Sequence, residues 1–260
     1  AASYPTVPRQ ALPDPGLVDI GAFDLLLSAT MYAMSRDENR ANLHVLHIER
    51  DGDRVITVST DGHRMSKADA KLAFPTLPAG GINLPFRSAR LLAAFLGKHD
   101  GDTQVATIPG LMTFTRGQST MSVKLADQVF PPWKQVMPTK FARRATVSKA
   151  ELVTSIERAL VLATNTTHST VLAFTPGSDG AGELVMTVDN VDQGTLRETL
   201  GGAEKVRMEG GGISAMFNAQ YVQESVAQLA GDTVVLHMND AMDAMCITGL
   251  ADGGACDLKV

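Results

Sequence analysis

The sequence predicts an α+β protein made of two tandem copies of one domain, with mainly antiparallel strands and two helices in each copy. Three observations carry this. An apolar-rich stretch, Ala22 to Ser35, returns as Ala150 to Ala163, and a strand-like stretch, Asp53 to Val58, returns as Glu183 to Val188. Leu91 to Leu96 followed by Gly101-Asp102-Thr103 returns as Val222 to Leu229 followed by Gly231-Asp232-Thr233. All three keep an offset of about 130 residues, which marks duplicated domains rather than a short-period solenoid. The division this predicts is a linker over 1–16, a first domain over 17–139 and a second over 140–260.

Each element has its own signal. Pro5, Pro8, Pro13 and Pro15 make the opening segment an extended linker. Ala22 to Ser35 reads as a helix. Asn42 to Arg50 alternates as a strand and breaks at Asp51-Gly52, a hairpin turn signal, with Val55 to Thr60 as the return strand ending at Asp61-Gly62. Leu84-Pro85 leads into a helix over Phe86 to Leu96, whose leucines and alanines suit one buried face. Gly101 to Thr107 and Leu111 to Thr115 alternate as strands about a turn at Pro109-Gly110. The second copy repeats the pattern, with glycine-rich turns at Gly177 to Gly182 and Gly210 to Gly212. Both helices of a copy are expected on one face of its sheet. Joined edge to edge, two such copies would turn their helices onto one concave surface.

At 44% apolar and 20% charged residues, the chain has material for two cores. It contains no apolar run of about 18 residues, so no membrane span is expected, and its first residues lack the basic-then-apolar order of a signal peptide. Cys246 and Cys256 form no CxxC pair, which points to a reducing cytoplasm. The net charge of −5 argues against a surface coated by nucleic acid, yet permits cations gathered on one face. Candidates are Arg36, Arg40, Arg87, Arg90, Lys140, Arg143 and Arg144, for which ordinary solvated charge is the plain alternative.

Catalytic patterns are weak. Ser59, Asp61 and His63 are near in sequence, but strand alternation splits neighbours between faces and no GxSxG elbow is present. His44 and His47 are three apart on an expected strand, a poor spacing for metal ligands. No GxGxxG or Walker loop occurs, so no cofactor and no activity of its own are expected.

Four segments then line up in order: Met34-Ser35-Arg36-Asp37-Glu38-Asn39-Arg40 with Leu43, Thr60-Asp61-Gly62-His63-Arg64-Met65, Phe130-Pro131 with Val136-Met137-Pro138, and Phe217-Asn218-Ala219-Gln220-Tyr221. On these the chain resembles the bacterial DNA polymerase III beta subunits, the sliding clamps, over nearly its whole length as their middle and C-terminal domains. TDGHRM is close to that family's ATDGHRL. The resemblance implies a ring around double-stranded DNA, helices inside and sheets outside, that tethers the DNA polymerase III catalytic subunit, the clamp loader and other proteins carrying a clamp-binding motif. It implies an accessory subunit rather than a catalyst, in the cytoplasm, dimeric when three domains are present. Tyr4-Pro5 echoes Phe130-Pro131 as the end of a preceding domain, and the family's MPMR-like tail has no counterpart before Val260. A fragment is therefore expected; a two-domain clamp closing as a trimer, or a structural protein with no DNA role, are the alternatives.

The resemblance also implies two surfaces. Leu43, Thr60, Gly62, His63, Arg64 and Met65 would form one wall of a peptide-binding pocket, and Pro131, Gln135 and Val136 the other. Leu43, Met65 and Val136 suit apolar anchors, Gly62 would let a ligand approach the backbone, and His63 and Arg64 would meet polar peptide groups at the rim. Arg36, Asn42, Arg87 and Arg90 would face DNA, a sparse lining because Gln220 and Tyr221 in the second copy are uncharged.

Overall fold

The computed structural model describes residues 15–97, 102–163, 168–249 and 257–259; most of the 1–16 linker, Gly101 and Cys256 lie outside them. The first repeat runs β1 (Gly16–Asp19), α1 (Ile20–Met31), β2 (Val45–Asp51), β3 (Arg54–Thr60), β4 (Met65–Lys71), β5 (Ile82–Pro85), α2 (Phe86–Leu96), β6 (Asp102–Ile108), β7 (Leu111–Arg116) and β8 (Ser119–Lys124). The second runs β9 (Arg143–Ser148), α3 (Lys149–Leu162), β10 (Ser169–Pro176), β11 (Gly182–Asn190), β12 (Gly194–Gly201), β13 (Val206–Glu209), β14 (Ile213–Asn218), α4 (Ala219–Ala227), β15 (Thr233–Met238), β16 (Cys246–Gly249) and β17 (Asp257–Lys259).

Strand order shows the duplication directly. A sheet ordered β1-β6-β7-β8 in the first repeat has its counterpart in β9-β15-β16-β17, and β12-β11-β10-β14 in the second has its counterpart in β4-β3-β2-β5. β13 is the one strand without a partner in this correspondence. The repeats join because β17 pairs with β4, Leu258 opposite Ser66, fusing two half-sheets into one of nine strands. Every strand pair among the described residues is antiparallel.

Several boundaries differ from the sequence expectation, each for a local reason. The first helix starts at Ile20 because the Asp19 carboxylate caps Ala22 N at 3.3 Å, and it ends at Met31, where Ala33 N turns back to Thr30 O. Asn42 to His44 form a turn rather than strand, since Leu43 N and His44 N both donate to Arg40 O. The hairpin turn is Gly52-Asp53, with Asp51 still paired to Arg54, and Gly52 at φ +59 supplies its left-handed residue. α4 begins three residues early because Asn218 Oδ1 accepts from Tyr221 N at 3.1 Å. The two helices of the first repeat share the nine-stranded sheet, α1 packing on β3 and β4 and α2 on β5 and β2, and each also touches the four-stranded sheet, α1 at β1 and α2 at β8.

Each repeat has its own core, the first built around Phe23, Leu27, Leu46, Ile48, Leu84 and Phe114, the second around Leu152, Ile156, Leu184, Met186 and Val234. Strand hydroxyls lock α1 to the sheet: Thr57 Oγ1 donates to Leu26 O at 3.0 Å, Ser66 Oγ to Ala29 O at 2.9 Å, and Ser59 Oγ to Thr30 O. Ser59 is fully buried in that bond.

A third, smaller cluster explains why β2 and β3 are buried on both faces. Leu46 and Ile48 point into the first core, whereas Val45, with Ile56 and Val58 of β3 and Met65 of β4, meets Phe130 and Trp133 on the other side. The segment between the repeats is therefore seated on the sheet by apolar burial.

Candidate functional site

The segment Thr60 to Met65 turns sharply between β3 and β4, and its own side chains shape it. Thr60 Oγ1 donates to Arg64 O at 2.6 Å and accepts from Gly62 N at 3.0 Å, while Asp61 Oδ1 accepts from His63 N at 2.9 Å and Arg64 N at 3.0 Å. Gly62 sits at φ +91, and a Cβ there would lie 2.4 Å from Arg40 Nη2. Glycine at this point makes room for Arg40, whose Nη1 also donates to Asp61 O at 2.7 Å. Arg40 is thus a brace of the turn that the sequence left among general basic residues.

Facing this turn is the segment after Phe130. Pro132 is followed by a 3-10 turn, Trp133–Gln135, closed by Val136 N donating to Trp133 O at 3.2 Å. Between the two walls lies a groove of about 520 Å³. Leu43, Thr60, Gly62, His63, Arg64 and Met65 line one side and Pro131, Gln135 and Val136 the other, so the structure brings together every residue expected of the pocket. Met65, 7% exposed and packed in the small cluster with Trp133, forms its apolar base; Val136, 54% exposed, stands at its lip.

Four further residues line it: Asn42, Pro132, Trp133 and Ala244. Trp133 carried a usable signal, the chain's single tryptophan two residues beyond Pro131. Ala244 carried none, because it reaches the groove from the loop between β15 and β16 in the second repeat. Asn42, expected to face DNA, is among the residues that line the groove.

Arg64 also departs from expectation. Its side chain is 7% exposed, and its guanidinium is committed across the junction of the repeats. Nε donates to Asp61 Oδ2 at 3.1 Å, Nη2 to Tyr32 O at 3.1 Å and Nη1 to Glu224 Oε2 on α4. It also lies 4.4 Å from the Tyr221 ring centroid and 5.2 Å from that of Tyr32. Burial, with Asp61 adding to it, pushes the Tyr221 hydroxyl above its ordinary pKa. Arg64 therefore links the two repeats, and of the two residues expected to meet polar groups at the rim, His63 is the exposed one.

On the helical side, Arg36 and Arg90 share a shallow recess of about 670 Å³ with Tyr32, Phe86 and, from the second repeat, Gln228. Arg87 is exposed at the start of α2, outside that recess. The charged residues on the four helices are Asp24, Arg87, Arg90, Lys149, Glu151, Glu157, Arg158 and Glu224, cations and anions in equal number.

Comparison with known proteins matches residues 18–132 to the DNA polymerase III beta subunit, central domain, and residues 134–258 to its C-terminal domain. Similar curated proteins are the beta sliding clamp of Synechocystis sp., 24% identical over 96% of this chain and 66% of the relative, and that of Caulobacter vibrioides, 24% identical over 98% and 67%. The Escherichia coli beta sliding clamp is 23% identical over 88% of the chain and 60% of its own length. The fold superposes on the crystal structure of the DNA polymerase III subunit beta from Pseudomonas aeruginosa with a TM-score of 0.88 at 21% identity, covering 100% of this chain and 68% of the other. A Bacillus subtilis sliding clamp superposes at 0.87 with 19% identity, over 99% and 67%. The chain thus spans about two thirds of the length of these relatives.

Proposed function

This chain belongs to the DNA polymerase III beta-subunit family, and on that premise we propose that it is a DNA polymerase processivity factor: a sliding clamp, with no catalysis of its own, that tethers polymerase and other proteins through the groove at the junction of its repeats. Residues 17–139 and 140–260 act as two clamp domains, working in the cytoplasm; among the described residues no helix is long and apolar enough to cross a membrane.

The observation that carries this reading is the continuous sheet made by β17 on β4, with the groove directly beside it, since β4 opens with Met65. One repeat follows another without a break in hydrogen bonding, the construction a ring needs. Applying the same junction again requires a strand like β4 beside β8 and a strand like β17 beside β12; among the described residues each of these has a single neighbour. Those edges are met by a further repeat or by other copies of this chain. The groove supplies apolar anchorage from Met65, Val136 and Trp133, which suits short peptides with aliphatic or aromatic anchors from the polymerase, the clamp loader and other partners.

Titration with a labelled hexapeptide carrying leucine and phenylalanine anchors tests the groove. Saturable binding that Val136→Asp removes is the expected result, and no binding to the unaltered chain overturns the tethering role. Light scattering separates the modes of closure. A mass near 27.6 kDa assigns it to a longer polypeptide, and a discrete trimer to copies of this chain.

A further inference from the structure

The groove's second wall is a stretch of chain with no sheet partner for most of its length, so something must hold it at a fixed distance from the first. Alternation along β2 puts Val45, His47 and Glu49 on the face that carries this wall, opposite Leu46 and Ile48 in the core. None of His47, Glu49 or Lys134 lines the groove, yet together they grip the wall at both ends.

His47 takes the near end. Its ring stacks on Phe130 with centroids 5.0 Å apart and planes 7° from parallel. Its Nδ1 lies 2.8 Å from Asn83 Oδ1 and its Nε2 3.1 Å from Glu49 Oε2, so an oxygen faces each ring nitrogen. Asn83 is itself tied to the chain entering the wall: its Nδ2 donates to Gln128 O at 2.6 Å and its carbonyl accepts from Ala126 N at 2.8 Å. Glu49 takes the far end through its other oxygen, 2.7 Å from Lys134 Nζ, in the turn that carries Trp133 and Gln135. Lys134 Nζ in turn lies 5.3 Å from the Trp133 ring centroid. An ion pair through this one carboxylate thus ties β2 of the sheet to the middle of the wall.

We propose that His47 and Glu49 are positioning residues for the groove: by clasping Phe130 and Lys134 they set the distance of the Trp133–Val136 wall from Met65, and so the groove's affinity for an apolar-anchored peptide. The affinity part rests on the peptide-binding reading above; the wall's position does not.

Trp133 is the single tryptophan of the chain and 7% exposed, so its quenching by acrylamide reads the wall alone. Glu49→Gln keeps the shape and removes the charge that holds Lys134. Lys134→Met cuts the same contact from a side chain 61% exposed, where loss of fold is no concern. Both variants are expected to raise the Trp133 quenching constant about twofold or more and to weaken the hexapeptide about three- to tenfold, the range of a mid-sized interface contribution. Lys134→Arg, which retains a cation for Glu49, should restore both. Unchanged quenching in both variants overturns the proposal, as does increased quenching with unchanged peptide affinity. If the unaltered chain binds no peptide, the groove reading fails and the quenching result alone decides whether the clasp holds the wall.

Discussion

Arg64 and Glu224 stand 160 residues apart in the chain and meet as an ion pair across the two repeats. The guanidinium end also reaches Asp61 and the Tyr32 carbonyl, and its faces lie against Tyr32 and Tyr221. A planar fork with several donors can serve all these partners at once, and an ammonium cannot. Removing it leaves two carboxylates without their cation and a gap between two aromatic rings. Arg64→Ala should therefore cost about 2–4 kcal/mol, less than a wholly buried pair because Glu224 is 26% exposed. Arg64→Lys should recover under half of that. Urea denaturation of the three proteins measures it, and a loss below about 0.5 kcal/mol for Arg64→Ala would refute the junction role.

Gly62 makes a second, separable prediction. Two terms oppose a side chain there: the backbone at φ +91 and the 2.4 Å approach to Arg40 Nη2. Gly62→Ala is expected to destabilise by about 1–3 kcal/mol. Adding Arg40→Ala removes the steric term alone, so the double variant should be less destabilised than the sum of the two single changes. Strict additivity in the double-mutant cycle would show that Arg40 does not crowd this position.

How much of this was readable beforehand follows from what each residue contacts. The repeat and the strands flanking tight turns were legible because their signals are local: alternation, Gly52, Pro109-Gly110. β4 was not, since MSKADAK reads as polar; it is a strand because Asp69 is neutralised by Lys67 at 2.7 Å and by Arg54, contacts set by its pairing with β3. β13 was missed for its length, Val206–Glu209. The groove residues were named through the family resemblance, not through periodicity. Ala244 and the Arg64–Glu224 pair depend on how the repeats pack, a long-range fact with no local trace.

Asp69 also sets an acid limit. Burial raises its pKa, but the hydrogen bonds and charges of Lys67 and Arg54 outweigh this and hold it below the ordinary value. A depressed folded-state pKa means stability that is fully present above the unfolded carboxylate's pKa of about 4 and is lost as pH falls through the lower folded value. Glu49, held down against its own burial by Lys134 and His47, adds in the same direction. Thermal unfolding between pH 7 and 3 should thus show a falling limb below about pH 4 that is shallower in Asp69→Asn. A limb of equal slope in the variant would remove Asp69 from the account.

On the proposed clamp reading, the helix charges bear on how tightly DNA would be held. The helix charges balance as a whole, and the expected phosphate contacts are Arg36 in the loop after α1 with Arg87 and Arg90 on α2. Affinity from counterion release scales with the number of phosphates neutralised, so about three contacts per chain give a slope of log K against log salt near −3. Such binding is weak, independent of sequence and quickly reversed, which a sliding ring requires; retention would come from closure rather than from contact. Arg87→Ala with Arg90→Ala should flatten the slope by about 2 without changing peptide binding in the groove on the opposite side of β4. Fluorescence anisotropy on a short duplex from 20 to 200 mM salt measures it. An unchanged slope would mean that DNA, if bound, meets a surface other than α2.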